Sequence, residues 1–203
     1  MRRARDRLPT ARGNGLAPTP ESQPVTYTVG HSTRPTEELI GLLEAAGVEQ
    51  LVDVRTVPRS RRNPQYNREV LAGTLADHAI GYQHEPSLGG FRKPLPESRN
   101  GGWEHPAFRG YADYMQTPEF DSALGQLDAL ARSLPSAVMC AEAQWWRCHR
   151  RLIADALTVR GWRVLHLGVR AQPVPHELTA FAVIGEDGKL TYPPAQGELA
   201  LGG

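Results

Sequence analysis

Cysteine, lysine and long apolar runs are all scarce in this chain. Its 203 residues include two cysteines, Cys140 and Cys148. Two cannot make a disulfide framework, so the expected setting is reducing and cytoplasmic. No apolar stretch approaches the length of a membrane span, which argues against a membrane protein built from helices. The Arg-rich start lacks the apolar segment of a secretory signal. A strong excess of one charge is missing too. Lys and Arg total 23, Asp and Glu 22, for a formal net charge of +1. A generic nucleic-acid binder carries a marked basic excess. Lys93 and Lys189 are the only lysines. Basic side chains are therefore nearly all arginine, whose planar fork suits phosphate and carboxylate, although genome base composition produces the same bias. No internal repeat is visible.

The hydrophobic content of 40% and charged content of 22% are those of a globular protein. Residues 1–24 read as a disordered arm rich in arginine and proline. Order is expected over 25–203 as a single domain, with a core over 25–170 and a C-terminal extension over 171–203. Strands are predicted over 25–29, 51–54, 82–84, 137–140 and 164–167. Between them lie helical patterns starting near Pro35 and Arg68, over 108–116, from Thr117-Pro118, and over 149–160. Residues 86–106, rich in glycine and proline, read as a long functional loop. Residues 180–192 read as a hairpin turning at Gly185-Glu186-Asp187-Gly188. Strands alternating with helices predict an α/β fold: a mainly parallel sheet flanked by helices, with a small C-terminal β-hairpin.

In such a fold ligands bind at the carboxyl ends of the strands. The first strand end offers His31 and Ser32. The second offers Asp53 and Arg55, followed by a basic loop with Arg59, Arg61 and Arg62. The third offers His84 and Glu85. The fourth is the densest: Cys140-Ala-Glu-Ala-Gln-Trp-Trp-Arg-Cys-His-Arg-Arg151 holds both cysteines, Glu142, Trp145, Trp146, Arg147, His149 and Arg150. Arginines beside a helix start bind anions. A thiol near a helix start, flanked by Arg147, His149 and Arg150, has a lowered pKa, which suits Cys148 as a nucleophile. The opposing possibility is two small buried apolar thiols, the common fate of free cysteine. The spacing does not fit a phosphatase loop, since six residues rather than five separate Cys140 from Arg147 and the curling glycines are missing. A metal could draw on Cys140, Cys148 and His149, with His31 or His84 added as a fourth ligand. Against it, adjacent Cys148 and His149 on a helix should point different ways, and no Cys-x-x-Cys pair is present. No metal ligand is therefore assigned.

Three readings of function result. One is an enzyme acting on a phosphate-bearing or nucleotide-like substrate. Its catalytic groups would be His31, Asp53, Glu142, Cys148 and His149, and Ser32, Arg55, Arg61 and Arg150 would bind the substrate. The second is a nucleic-acid-binding or repair accessory module in which Trp145 or Trp146 stacks a base. The third is a metal- or redox-sensing protein that uses the cysteines. The partner is thus a small anionic ligand or a nucleic acid, and not a membrane.

Five further motifs join the cysteine segment in order along the chain: Gly30-His-Ser-Thr-Arg34, Val52-Asp-Val-Arg55, Pro58-x-Ser-Arg61 with Asn67 beyond it, Leu88-Gly-Gly90 and Tyr111-Ala-Asp-Tyr-Met115. With Cys140-Ala-Glu142 and Cys148-His-Arg150 they resemble the domain-of-unknown-function 488 family of prokaryotes, over roughly residues 25–170. Many relatives carry proline where Trp145 stands. The resemblance implies a small cytoplasmic α/β protein with a shared pocket at these residues, and it supplies no substrate.

Overall fold

A computed structural model describes residues 23–195. The predicted arm over 1–24 lies almost entirely outside the described residues. The chain opens with β1 (Val25–Gly30), whose β-branched residues alternate between the two faces of a sheet. Pro35 then sets the start of α1 (Thr36–Ala45), with Glu37 and Glu38 in the first turn, where negative charge favours the helix dipole. Strand β2 (Gln50–Asp53), helix α2 (Arg68–Asp77) and strand β3 (Gly81–His84) follow. Next come α3 (Pro106–Tyr114) and α4 (Pro118–Ser133), each with proline in its first turn and a side-chain cap, from His105 and Thr117 respectively. The last long elements are β4 (Ser136–Cys140), α5 (Arg150–Val159) and β5 (Arg163–Leu167).

Five parallel strands form one sheet in the order β3-β2-β4-β1-β5. The crossover from β1 leads toward β2 and that from β4 toward β5, in opposite directions along the sheet. Right-handed crossovers must then place their helices on opposite faces. The two cores agree. Val29, Leu51, Ala137 and Met139 pack with Leu39 and Leu43 of α1 and Leu71 and Leu75 of α2. Val52, Val138 and Val164 face the other way, onto Tyr111 of α3, Leu124 of α4 and Leu152 of α5. All five residues of β4 are buried, as expected of a central strand covered on both faces.

The fold is the expected α/β, mainly parallel sheet, with a small antiparallel pair near the C-terminus. Its second sheet is the expected hairpin, formed after a further short strand, β6 (Val174–Pro175), by β7 (Val183–Ile184) and β8 (Leu190–Thr191). Strand β6 runs antiparallel to β5 and has no counterpart in the sequence reading. So short an edge strand leaves no periodicity to read. The loop over 86–106 is anchored to α3. The Asp113 carboxylate accepts from the Leu95 amide at 2.8 Å, the Ser98 hydroxyl at 2.6 Å and the Asn100 amide at 2.8 Å. Among the described residues no helix is long and apolar enough to cross a membrane.

Candidate functional site

Parallel pairing puts the strand ends at one level. Gly30 stands opposite Cys140, and Asp53 opposite both Met139 and His84. Beyond β1, the His31 amide donates to the Cys140 carbonyl and the Ser32 amide to that of Ala141. The segment after β4 therefore runs against the end of β1, and only glycine fits at the crossing. A Cβ on Gly30 would lie 1.8 Å from the Glu142 carbonyl oxygen.

Asp53 and Arg55 form a closed unit. The guanidinium grips the carboxylate with Nε to Oδ1 at 2.9 Å and a second nitrogen to Oδ2 at 2.6 Å. It also donates to the Tyr66 carbonyl at 2.8 Å and to His31 Nε2 at 3.2 Å. Tyr82 donates its hydroxyl to Asp53 Oδ2 at 2.7 Å, and His84 Nε2 donates to the Arg55 carbonyl at 2.8 Å. Burial opposes the charge on Arg55, and the Asp53 carboxylate outweighs it, so the Arg55 pKa rises. His31 donates from Nδ1 to the Ser32 carbonyl at 2.8 Å and stacks on Tyr66 at 4.1 Å. Burial, with the neighbouring Arg55 charge, pushes its pKa down to about 4. His31 is thus a neutral ring with both nitrogens engaged.

Arg150 is 1% exposed. It donates to the Thr28 hydroxyl at 3.1 Å and to the Glu142 carbonyl, bracing the β4–α5 segment from below. Behind it runs a chain that the sequence reading misses. The Thr28 hydroxyl, accepting from Arg150, donates to His166 Nδ1 at 2.7 Å. His166 Nε2 then donates to His176 Nδ1 at 3.1 Å, and His176 Nε2 to Asp155 Oδ1 at 2.8 Å. Tyr192 closes the chain on Asp155 Oδ2 at 2.9 Å. Trp145 lies flat on His166, with ring centroids 4.1 Å apart. One cue is Asp155 inside an otherwise apolar helix face. Its partners lie in the extension, where no pattern flags them.

The thiols gather on the other side of this brace. The sequence reading puts Cys148 and His149 on one helix, diverging. The structure corrects this. Cys148 has extended backbone, φ −129° and ψ 149°, at the close of the turn Trp145–Arg147, and His149 caps α5. Both side chains therefore turn to Cys140. His149 Nδ1 lies 3.6 Å from Cys148 Sγ and 4.0 Å from Cys140 Sγ. Burial alone would raise the Cys148 pKa. The hydrogen bond from Cys140 and the charges of His149 and Arg150 outweigh it, bringing the thiol well below its usual range. The same hydrogen bond, with burial, drives the Cys140 thiol up. Gly90 sits against the imidazole so closely that a Cβ there would lie 2.4 Å from His149 Nδ1.

Two adjoining cavities open above. The first, about 460 Å³, is mostly apolar, with Phe91, Phe108 and Trp146 at its walls and Cys140, Cys148 and His149 among its lining. The second, about 510 Å³, is the more polar of the two, with His31, Ser32, Arg59, Ser60 and Asn63 among its lining. Arg55, Val57, Ala141 and Glu142 border both. Of the residues proposed from sequence as catalytic or substrate-binding, His31, Ser32, Arg55, Glu142, Cys148 and His149 line these cavities, as do Arg59, Cys140, Trp146 and Arg147 of the strand-end set. Asp53 is held behind Arg55, and Arg150 lies beneath. Arg61 is exposed and lines neither. His105, beside the first cavity, is absent from the sequence-based set, because the one histidine of a Gly/Pro-rich loop sits at no strand end that would mark it.

The family model described as Domain of unknown function DUF488 matches residues 35–157. The chain belongs to the DUF488 family. The matched stretch runs from the start of α1 into α5, and so includes both cysteines, His149 and the Asp53–Arg55 unit. No curated protein and no solved structure matches the chain.

Proposed function

We propose that this DUF488 protein is an enzyme that uses Cys148 as a nucleophile on a small, nucleotide-like substrate. The observation that carries the reading is Cys148 Sγ at 3.6 Å from His149 Nδ1, on the wall of a largely apolar cavity. A thiol with an adjacent imidazole is the arrangement covalent catalysis needs. In the reaction the Cys148 thiolate, its proton already held by His149, bonds through Sγ to the electrophilic atom as the bond to the leaving group breaks. The leaving group departs with the proton from His149. Water or a second acceptor, giving its proton to His149, then attacks the same atom and Cys148 leaves as the thiolate. The class is hydrolase or transferase.

The substrate follows from the walls. A planar apolar ring suits the first cavity, beside Phe91, Phe108 and Trp146. A charged or hydroxylated end suits the polar cavity, where Arg59 is exposed and Ser32 and Ser60 offer hydroxyls. Asp53, Tyr66 and His31 engage the Arg55 fork, and Thr28 and Glu142 engage the two terminal nitrogens of Arg150, whose buried Nε has no partner, so neither presents a free fork to an anion. They stiffen the site instead. The test uses the full chain with a panel of nucleoside monophosphates and orthophosphate. At least one nucleoside monophosphate should raise Tm and slow alkylation of Cys148, and orthophosphate alone should do less. A panel in which no member protects Cys148 contradicts the substrate assignment.

A further inference from the structure

The same corner of the fold has a second chemical property, one that needs no substrate. Cys140 Sγ, Cys148 Sγ and His149 Nδ1 all lie within 4.8 Å of one another. In a tetrahedral zinc site, Zn–S of about 2.3 Å and Zn–N of about 2.0–2.1 Å place sulfur and nitrogen about 3.6 Å apart and two sulfurs about 3.8 Å apart. The observed sulfur–nitrogen separations are 3.6 and 4.0 Å. Shifts of a few tenths of an ångström bring both sulfur–nitrogen separations to that geometry, and the two sulfurs, within 4.8 Å of each other, need to close by about an ångström at most. We propose that Cys140, Cys148 and His149 form a three-ligand site for a thiophilic cation of the zinc class, with the fourth position open to the apolar cavity.

Three features support this beyond proximity. Two of the ligands adjoin regular elements: Cys140 ends the central strand β4, and His149 stands at the N-cap position of α5. Both thiols are buried, at 7% and 4% exposure, so a bound cation would be shielded from competing water. All three side chains also line one cavity, which leaves room for a water or a substrate atom as fourth ligand. Coordination requires both sulfurs as thiolates and a neutral imidazole bonding through Nδ1. Binding therefore competes with protonation of the ligands and is pH-dependent. It also occupies the lone pair that attacks substrate. In relation to the proposed enzyme the cation is a reversible block, although the site itself does not depend on that reading.

The test titrates the reduced, metal-free full chain with Zn²⁺, with Mg²⁺ as control, by calorimetry and against a chromophoric chelator. Co²⁺ substitution provides a thiolate-to-metal charge-transfer band as an independent signature. One Zn²⁺ per chain is expected, with no response to Mg²⁺. Cys140→Ser and His149→Ala should each weaken binding on the order of 100-fold, with circular dichroism unchanged. Absence of stoichiometric Zn²⁺ binding, or a Cys140→Ser chain that binds as well as the parent, overturns the proposal. Alkylation separates it from the enzyme reading. In Cys140→Ser, Cys148 should still be labelled and Zn²⁺ should no longer protect it. If Zn²⁺ binds but Cys148 resists labelling in chelator, the nucleophile reading fails and the metal site stands.

Discussion

At the residue scale, the site divides into side chains that hold and side chains left free to react. Arg55 illustrates the first kind. Asp53 is fully buried, and its carboxylate is matched by one guanidinium and one phenol. Breaking a buried pair leaves an uncompensated charge, so Arg55→Ala should cost roughly 3–5 kcal/mol of stability, read as a fall in the denaturation midpoint. Asp53→Ala/Arg55→Ala together should cost less than Arg55→Ala alone. His31 makes a prediction about pH. Its folded pKa of about 4 lies below the ordinary histidine value of 6.5. As pH falls through 6.5 the unfolded chain takes up a proton on His31 while the folded chain does not. The contribution of His31 is therefore complete above 6.5 and is lost progressively down to about pH 4, by on the order of 3 kcal/mol. His166, pushed down to about 2 by burial and by His176, acts in the same direction and continues to lower pH. Stability measured from pH 7 to 4 should fall less steeply in His31→Asn than in the parent. Parallel curves would contradict this role for His31.

At the element scale, the decisive feature is how one segment leaves β4 and enters α5. Gly30 admits it against β1, and Gly90 admits the His149 ring beside the thiols. Gly90→Ala should leave the fold intact, cost roughly 1–3 kcal/mol through overpacking, and slow Cys148 alkylation several-fold by moving the imidazole. Gly41, in α1, is different, since a methyl group added there would meet nothing within 4 Å. Gly41→Ala should therefore stabilise by roughly 0.5–1 kcal/mol and leave alkylation unchanged. The strands, helices and hairpin were legible because period-2 and period-3.6 patterns and turn residues mark them locally. The strand-end cluster was legible because parallel topology gathers residues such as His31, Arg55 and Cys140 at one edge. The direction of the Cys148 side chain was not, because it depends on whether α5 starts before or after Cys148. Nor was the burial of Arg55 and Arg150. An arginine beside a site looks the same in sequence whether it meets solvent or a carboxylate two residues away.

At the scale of the whole molecule, the extension beyond β5 completes the core. His176, Thr179 and Tyr192 supply the partners of the fully buried Asp155. A chain ending at Arg170 should lose roughly 3–5 kcal/mol, because it strands that carboxylate, and Asp155→Leu in the shortened chain should recover part of the loss. The relay also reaches the site, through His166 to Thr28 and Arg150 and through Trp145 to the segment bearing the thiols. One face of the sheet thus serves as a brace, and its upper edge carries the reactive groups. The proposed chemistry rests on Cys148 being the reactive group. The most direct measurement is competitive alkylation of the native full chain with limiting iodoacetamide at neutral pH in chelator, with each cysteine quantified by peptide mass spectrometry. Cys148 should label at least about tenfold faster than Cys140, following the opposite directions in which their hydrogen bond drives the two thiols. Equal rates, a faster Cys140, or labelling of neither thiol until the chain unfolds would contradict it.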